Sequence, residues 1–479
     1  MKISLSFWDI LIIASYYLLL TFIGFFVSQK SSKKENVSEA DYLFAGRKLT
    51  LPFFVASLVA TWYGNILGIG EFVYRYGLVA WFCFGIVYYF SAFVYALLLS
   101  KRIRTSPSQT IAEQIASKFG KTSGVVASIV MLIITFPSVY VLMVGVFVNM
   151  FTELNLFISI LIGTLISFLY IAYGGFKSNI FTNTFQFILM YLGFAIFLYF
   201  SLSSINFDFI KLQELPQSHL KFFGDVSWQF LVTWIFISLQ TFVDPSFYQR
   251  CTSVKSFNIA RKGIFLSIFF WLIFDSMTIA IGLIAKLTIA NIDPLYTYPI
   301  LLEKVVPTIF KSIVLVSMLA TIISTLESYT FLSALIIGKD IFEYFKIGTN
   351  LNLKTRIRIG LLFTAISSIL IAYLIPSAID IIYKTSSIAV PSLFYPLLFS
   401  FTNRKIIIPK QANIIITSSA IITLLFTFMK EIIKADYLLL QALFFFEPMV
   451  FGFLWSTILT VLFYIVNKRK ELVISKPRV

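Results

Sequence analysis

The sequence predicts an all-α protein that crosses a membrane many times, and three observations carry that prediction. Hydrophobic residues make up 59% of its 479 residues and charged residues 13%, whereas soluble domains hold about 45–50% and about 25%. The apolar residues fall in continuous runs of about 20, the length that spans a hydrocarbon core as a helix. The cations gather in short patches between those runs, which is how membrane topology is written. A soluble globular enzyme and a disordered chain are thereby excluded. So is a membrane β-barrel, whose strands would alternate apolar and polar residues over about ten positions. The net charge of +16 is a topology signal in patches and not a stripe for nucleic acid.

Taken in order, the runs centre near residues 16, 61, 89, 137, 164, 190, 237, 274, 322, 367, 389, 419 and 455, which gives about 13 crossings. Crowding around Pro376 leaves 12 as the alternative count. The first run, Leu5 to Val27, exceeds a signal-peptide core and has no A-x-A cleavage pattern after it, so it reads as a retained span. Cys83 lies in an apolar run and Cys251 beside a basic loop, so no disulfide framework is implied. Segments 29–50, 101–122, 174–178, 249–262, 338–358, 401–410 and 467–479 hold 28 Lys and Arg, and the alternate segments hold 9. That bias puts the N-terminus outside and the C-terminus in the cytoplasm.

The second run carries Gly64, Gly68, Gly70 and Gly77. Glycine lowers the cost of leaving helical geometry, and transporters use unwound membrane helices to present carbonyls to ions. The other reading is a helix whose glycines only allow close packing. In the run at 306–337, Thr321, Ser324, Thr325 and Ser328 recur at helical spacing, so several hydroxyls share a face. Such hydroxyls commonly bond the backbone one turn earlier. Glu327 stands among them, and an ionisable residue at mid-membrane is a functional hypothesis by default.

These motifs resemble the sodium:solute symporter family, which includes sodium-coupled proline, glucose, sialic-acid and choline transporters. The resemblance rests on DYLFAGRKL from Asp41, SLVAT from Ser57, GIG from Gly68 and YG from Tyr76. It continues through TIAEQIASKFGK from Thr110, YGGFKSNIFTNTFQ from Tyr173, DPSFYQR from Asp244, and ATIISTLES from Ala320 with GKDIF from Gly338. It covers about residues 5 to 400. The triplet ATW from Ala60 looks most like the choline branch.

The resemblance implies a five-plus-five inverted-repeat transporter core, at 51–200 and 227–400. An extra helix would precede it at 5–28, and two would follow at 410–466, in one transmembrane domain spanning 1–479. It implies Na+ as the coupling ion, held by the backbone carbonyls of Ala60, Tyr63 and Thr321 and the hydroxyls of Ser324 and Thr325. Neutral oxygens suit a hard monovalent cation that must also leave, whereas divalent ions usually recruit carboxylates. Some relatives place a further sodium between an Asp of the T-D motif and serines of the later helix. Here the Asp position is Asn183, and Glu327 stands where a serine is expected. The carboxylate has changed helices, so Glu327, Ser328, Asn183 and Thr182 are expected to form a second cation or proton site; the other reading is a protonated Glu327 that is only hydrogen-bonded.

The substrate is less legible. Ile66 and Leu67, after the break, are apolar, which disfavours a sugar with its many hydrogen bonds. Residues expected to face the cavity are Trp62, Asn65, Glu71, Gln240, Thr241, Asp244, Tyr383 and Lys384. Lys384 either pairs with Asp380 one turn away or receives the carboxylate of an organic acid or amino acid. Glu71 and Trp62 would instead suit an amine of the choline type. The first of these, a small carboxylate-bearing solute, is the favoured expectation. Asp9 and Glu447 lie near interfaces without a special role, Asp275 is a buried polar residue with no assignable partner, and His219 belongs to an outer loop.

The expected function is import of a small solute by alternating access, in the plasma membrane of a bacterial-style cell, with sodium, solute and the lipid bilayer as partners. A transporter-like sensor without turnover is the alternative, although the chain ends about a dozen residues after its last span and so carries no signalling module. An enzyme is not expected, because the chain has one His and neither a G-x-S-x-G motif nor a phosphate loop.

Overall fold

The computed structural model describes residues 5–32, 43–152, 154–432 and 446–474. Asp41 and Tyr42, which open the first family motif, lie outside the described residues. Among the described residues the fold is helical, and an isolated bridge between Leu49 and Val254 is its extended pairing. Among the described residues, ten helices are long and apolar enough to cross a membrane, and Leu51–Ala60 and Leu156–Phe168 are shorter apolar helices.

Helix α1 spans Phe7–Ser32. Helix α2, Leu51–Ala60, starts after extended Thr50 with Pro in its first turn, where a missing N–H costs nothing. Helix α3, Ile66–Tyr76, stops at Gly77, and α4 follows at Trp81–Leu98. Helices α5, Ser100–Thr105, and α6, Ile111–Phe119, lie next. Thr110 caps α6 by accepting from Glu113 N at 3.0 Å, and the Glu113 carboxylate reaches back to accept from Gln109 N at 2.6 Å, just before the cap. Helices α7, Lys121–Thr135, and α8, Ser138–Thr152, are separated at Pro137. Helix α9, Leu156–Ser204, is bent at Gly175, whose φ of 69° is left-handed.

Then come α10, Trp228–Ser238, α11, Gln240–Val243, and α12, Pro245–Ser253. Helix α13 is Phe257–Thr288, α14 is Thr297–Val305 and α15 is Thr308–Tyr344. The chain closes with α16, Leu353–Leu374, α17, Ala378–Ser400, α18, Pro409–Ile432, and α19, Pro448–Ile474.

Helix α15 is the axis of the molecule. Its apolar window is 83% buried, against 17% for α1, so α15 is surrounded by protein while α1 turns apolar side chains outward, as a lipid-facing helix does. Helices α9, α8, α16 and α1 pack around α15.

Three sequence expectations are corrected here. Arg250, counted among loop cations, lies inside α12 and is fully buried. His219, expected on a solvent-facing loop, is buried against the C-terminal end of α3, with Nε2 3.1 Å from the carbonyl of Tyr74. Asp9 is fully buried and accepts from Ser312 Oγ at 2.5 Å, with Lys311 at 3.8 Å, so it ties α1 to α15.

Candidate functional site

The site begins where α2 runs out. Thr61 N still bonds Ser57 O at 3.3 Å and Trp62 N bonds Val59 O at 3.1 Å; helical bonding resumes with Ile69 N on Asn65 O at 3.0 Å. Between them the chain is unwound, as its glycines suggested. A side chain from α15 meets each freed carbonyl at the end of α2. Ser324 donates to Ala60 O at 2.7 Å, and Thr325 donates to Thr61 O at 3.0 Å. Both hydroxyls also lie on Thr321 O, at 2.9 and 3.3 Å.

Gly64 explains how α15 comes so near. A Cβ there would stand 2.5 Å from Thr325 Cβ and from the ring of Tyr140, so only glycine fits. Tyr63 precedes it, buried, with its hydroxyl donating to Trp271 O at 3.1 Å and its ring 4.3 Å from Phe274. The structure therefore brings together Ala60, Thr321, Ser324 and Thr325, with Tyr63 in the same unwound segment.

A second break, which the sequence analysis did not anticipate, separates α11 from α12 at Asp244. Asp244 caps α12, accepting from Ser246 N at 2.6 Å and Phe247 N at 3.4 Å, and also accepts from Tyr329 Oη at 2.5 Å. The signal was present as Asp-Pro inside an apolar run, an N-cap followed by proline at N1.

The residues grouped around Glu327 have different nearest partners and are joined through Asn179, which donates to Glu327 and accepts from Ser328 and Asn183. Glu327 accepts from Thr182 Oγ1 at 2.7 Å and Asn179 Nδ2 at 3.2 Å, with Gln186 Nε2 at 3.5 Å. Ser328 and Asn183 turn toward the end of α2 instead. Asn183 Nδ2 lies 3.2 Å from both Thr61 Oγ1 and Ser328 Oγ. Arg250 joins them: Nη2 donates to Thr61 Oγ1 at 2.6 Å, Ser57 O at 3.1 Å and Ser328 Oγ at 3.3 Å. Adjacent residues on a helix point about 100° apart, which is why Glu327 and Ser328 serve different neighbours.

The residues named for the substrate occupy two depths. Glu71, Tyr383 and Lys384 line an outer cavity of about 650 Å³ together with Arg75, Asp380, Lys430 and Glu447. Glu71 pairs with Arg75 at 3.0 Å and Lys430 with Glu447 at 2.8 Å, so Glu447 has a partner at the mouth. Deeper in, Trp62 is wrapped by Tyr88, Phe247 and Trp271 at 5.1, 5.8 and 5.0 Å between ring centroids. Gln240 accepts from Ser386 Oγ at 2.7 Å.

Three polar groups here have no hydrogen-bond partner among the described residues: both amide atoms of Asn65, Thr241 Oγ1 and Tyr383 Oη. Buried polar groups are mostly satisfied, so the orphaned Asn65 and Thr241, one beside each break, are candidates for contact with a ligand. Helix α3 also begins at Asn65 with no side-chain cap, leaving its first N–H groups and the positive end of its dipole available. Asp275, for which the sequence offered no partner, is bonded by Tyr89.

Two helices broken mid-run, with carbonyls and helix ends facing a central helix, define a transporter of the broken-helix class. Comparison then places the chain: the sodium:solute symporter family model matches residues 42–407, and the chain belongs to that family. Mouse sodium-coupled monocarboxylate transporter 2 is 26% identical over 60% of this chain and 48% of its own length. Human high affinity choline transporter 1 is 26% identical over 68% of this chain and 61% of its own. The chain thus spans about half the length of the first curated relatives it matches. Among solved structures, a substrate-bound, outward-open Na+-coupled sialic acid symporter superposes with a TM-score of 0.76 at 14% identity, covering 96% of this chain and 97% of that one. Mhp1, a nucleobase-cation-symport-1 family transporter in a closed conformation, gives 0.56 at 13% identity over 91% and 95%. At these identities the likeness is one of fold.

Proposed function

We propose that the protein is a sodium-coupled symporter that imports a small carboxylate-bearing solute by alternating access. The supporting observation is the meeting of Ser324 and Thr325 with the freed carbonyls of Ala60 and Thr61. On this reading Na+ sits in that seam, held by carbonyls of Ala60, Tyr63 and Thr321 and the hydroxyls of Ser324 and Thr325. The end of α2 adds the negative pole of its dipole. About 13 crossings, two inverted repeats, an outer N-terminus and a plasma-membrane location complete the reading.

The carboxylate would lie at the uncapped start of α3, where Asn65 holds an orphaned amide. Lys384 and Arg75 would draw an anion into the outer cavity. The monocarboxylate-transporter relatives are in keeping with this choice, as the choline-transporter relative is with the second reading. A second reading, an organic amine, is favoured by the aromatic wrapping of Trp62, since cations bind ring faces. For one sodium per cycle, about 2.3 kcal/mol from 100 mV and about 1.4 kcal/mol from a tenfold gradient would concentrate a neutral solute several-hundred-fold.

The test is a thermal-shift screen of short carboxylates, amino acids and quaternary amines, in sodium and in potassium. Carboxylates that stabilise only in sodium support the proposal. Amines that do so move it to the second reading, and stabilisation indifferent to sodium overturns the coupling.

A further inference from the structure

A second cavity, of about 560 Å³, lies between α6, the start of α7 and the end of α15. It is remote from the outer cavity. Helix α17 begins beside the outer cavity at Asp380 and ends at Ser400, whose carbonyl accepts from Gln114 of α6 at 3.3 Å. The 23 residues of α17 set these two ends about 35 Å apart.

The charges of this second cavity are ordered by depth. Lys339 is buried, lies 3.5 Å from Glu113, bonds Gln109 Oε1 and is the cation acting on Asp340. Asp340 accepts from Thr110 Oγ1 at 3.3 Å through one oxygen. Its other oxygen is buried without a hydrogen-bond partner among the described residues. Glu113 and Glu343 both lie near enough to repel Asp340, so one lysine is shared by three carboxylates. Two further lysines of the lining, Lys121 and Lys346, are exposed at the mouth. The inner wall thus has an excess of negative charge and the mouth an excess of positive charge, and a ligand that satisfies both carries both signs.

Exposed apolar residues flank this lining in the chain. Ile129 follows Ser128, Phe345 and Ile347 bracket Lys346, and Tyr344 belongs to the lining itself. Lysine and tyrosine beside exposed apolar side chains mark the level at which lipid head groups meet acyl chains.

We propose that this cavity holds the head group of a phospholipid that carries a primary ammonium beyond its phosphate. In such a lipid the ammonium is the tip, the phosphate comes next and the acyl chains last. The cavity presents acids inside, lysines at the mouth and apolar residues beside them, in that same order. A primary ammonium has three N–H donors for the acidic wall, whereas a trimethylated one has none. A purely anionic head group would bring like charge to Asp340 and Glu113. The site stands apart from the sodium and solute site and does not rest on the symport reading.

The test is binding to the purified, delipidated full chain, read by native mass spectrometry and by the rise in melting temperature. The probes are short-chain phosphatidylethanolamine, phosphatidylcholine and phosphatidylglycerol of equal chain length, and soluble phosphoethanolamine. Phosphatidylethanolamine should bind about tenfold tighter than either other lipid, the worth of one hydrogen bond to a charged group. Asp340→Asn should erase that preference, and Glu343→Gln, at an exposed position, should reduce it and carries the test if Asp340→Asn fails to fold. Lys121→Gln/Lys346→Gln should weaken all three lipids by removing the phosphate contacts. Equal binding of the three lipids, tighter phosphatidylglycerol, or wild-type preference in both carboxylate variants would overturn the proposal. Phosphoethanolamine that binds as tightly as the lipid would overturn it too, because the occupant would then be a soluble zwitterion. Each readout is independent of sodium, so failure here leaves the symport reading standing, and failure of symport leaves this site standing.

Discussion

The two helix breaks are built in opposite ways. At Asp244 one side chain closes the gap: it caps α12 twice and takes the Tyr329 hydroxyl. At 61–65 the gap is left open on both sides. The carbonyls of Ala60 and Thr61 are met by hydroxyls of α15, and α3 begins with no side-chain cap. A break that satisfies itself is a hinge or a wall. A break that leaves carbonyls at one end and N–H groups at the other is suited to a cation and an anion together, which is what a sodium-carboxylate symporter needs.

The contrast can be broken at its tightest point. Gly64→Ala drives a methyl into Thr325 and Tyr140, and overpacking a fixed seam is costly. The open break should lose about 100-fold in sodium affinity, read by 22Na+ binding to purified protein. Next in size, Asp244→Ala removes the cap of the closed break and leaves Tyr329 without its acceptor; it should lower stability by about 1–2 kcal/mol, seen as a lower melting temperature. Asp244→Asn, an equally good cap, should recover most of that loss.

Asn65→Ala sharpens the anion half. It should weaken the best carboxylate of the screen about tenfold, the worth of one hydrogen bond to a charged group, and leave 22Na+ binding unchanged. The smallest effect belongs outside both breaks. Lys221 and Asp225 form an exposed pair at 2.9 Å, and Lys221→Ala should shift the melting temperature negligibly.

The open break was readable from the chain because glycines and a hydroxyl stripe are rare in apolar runs. The closed break was not, because Asp244 and Pro245 were read as a motif and a cavity residue, not as the cap and first turn of a new helix. Arg250 was hidden for a different reason. Its neighbours in sequence, Gln249 and Lys255, are polar, so it read as one of the loop cations, and only the fold carries it under α2. Glu327 and Ser328 were grouped because the resemblance implies one cation site at that stretch of helix, although adjacent helical residues face different partners. Tyr89 could not be named for Asp275, because its place beside α13 is set by packing between distant segments.

The central claim is that α2 and α15 jointly hold one sodium ion, and the double variant Ser324→Ala/Thr325→Ala tests it most directly. In wild-type protein, NaCl should raise the melting temperature above that in KCl and 22Na+ should bind saturably. The double variant should fold, melt alike in both salts and bind no 22Na+. Undiminished sodium binding and stabilisation in that variant would contradict the account.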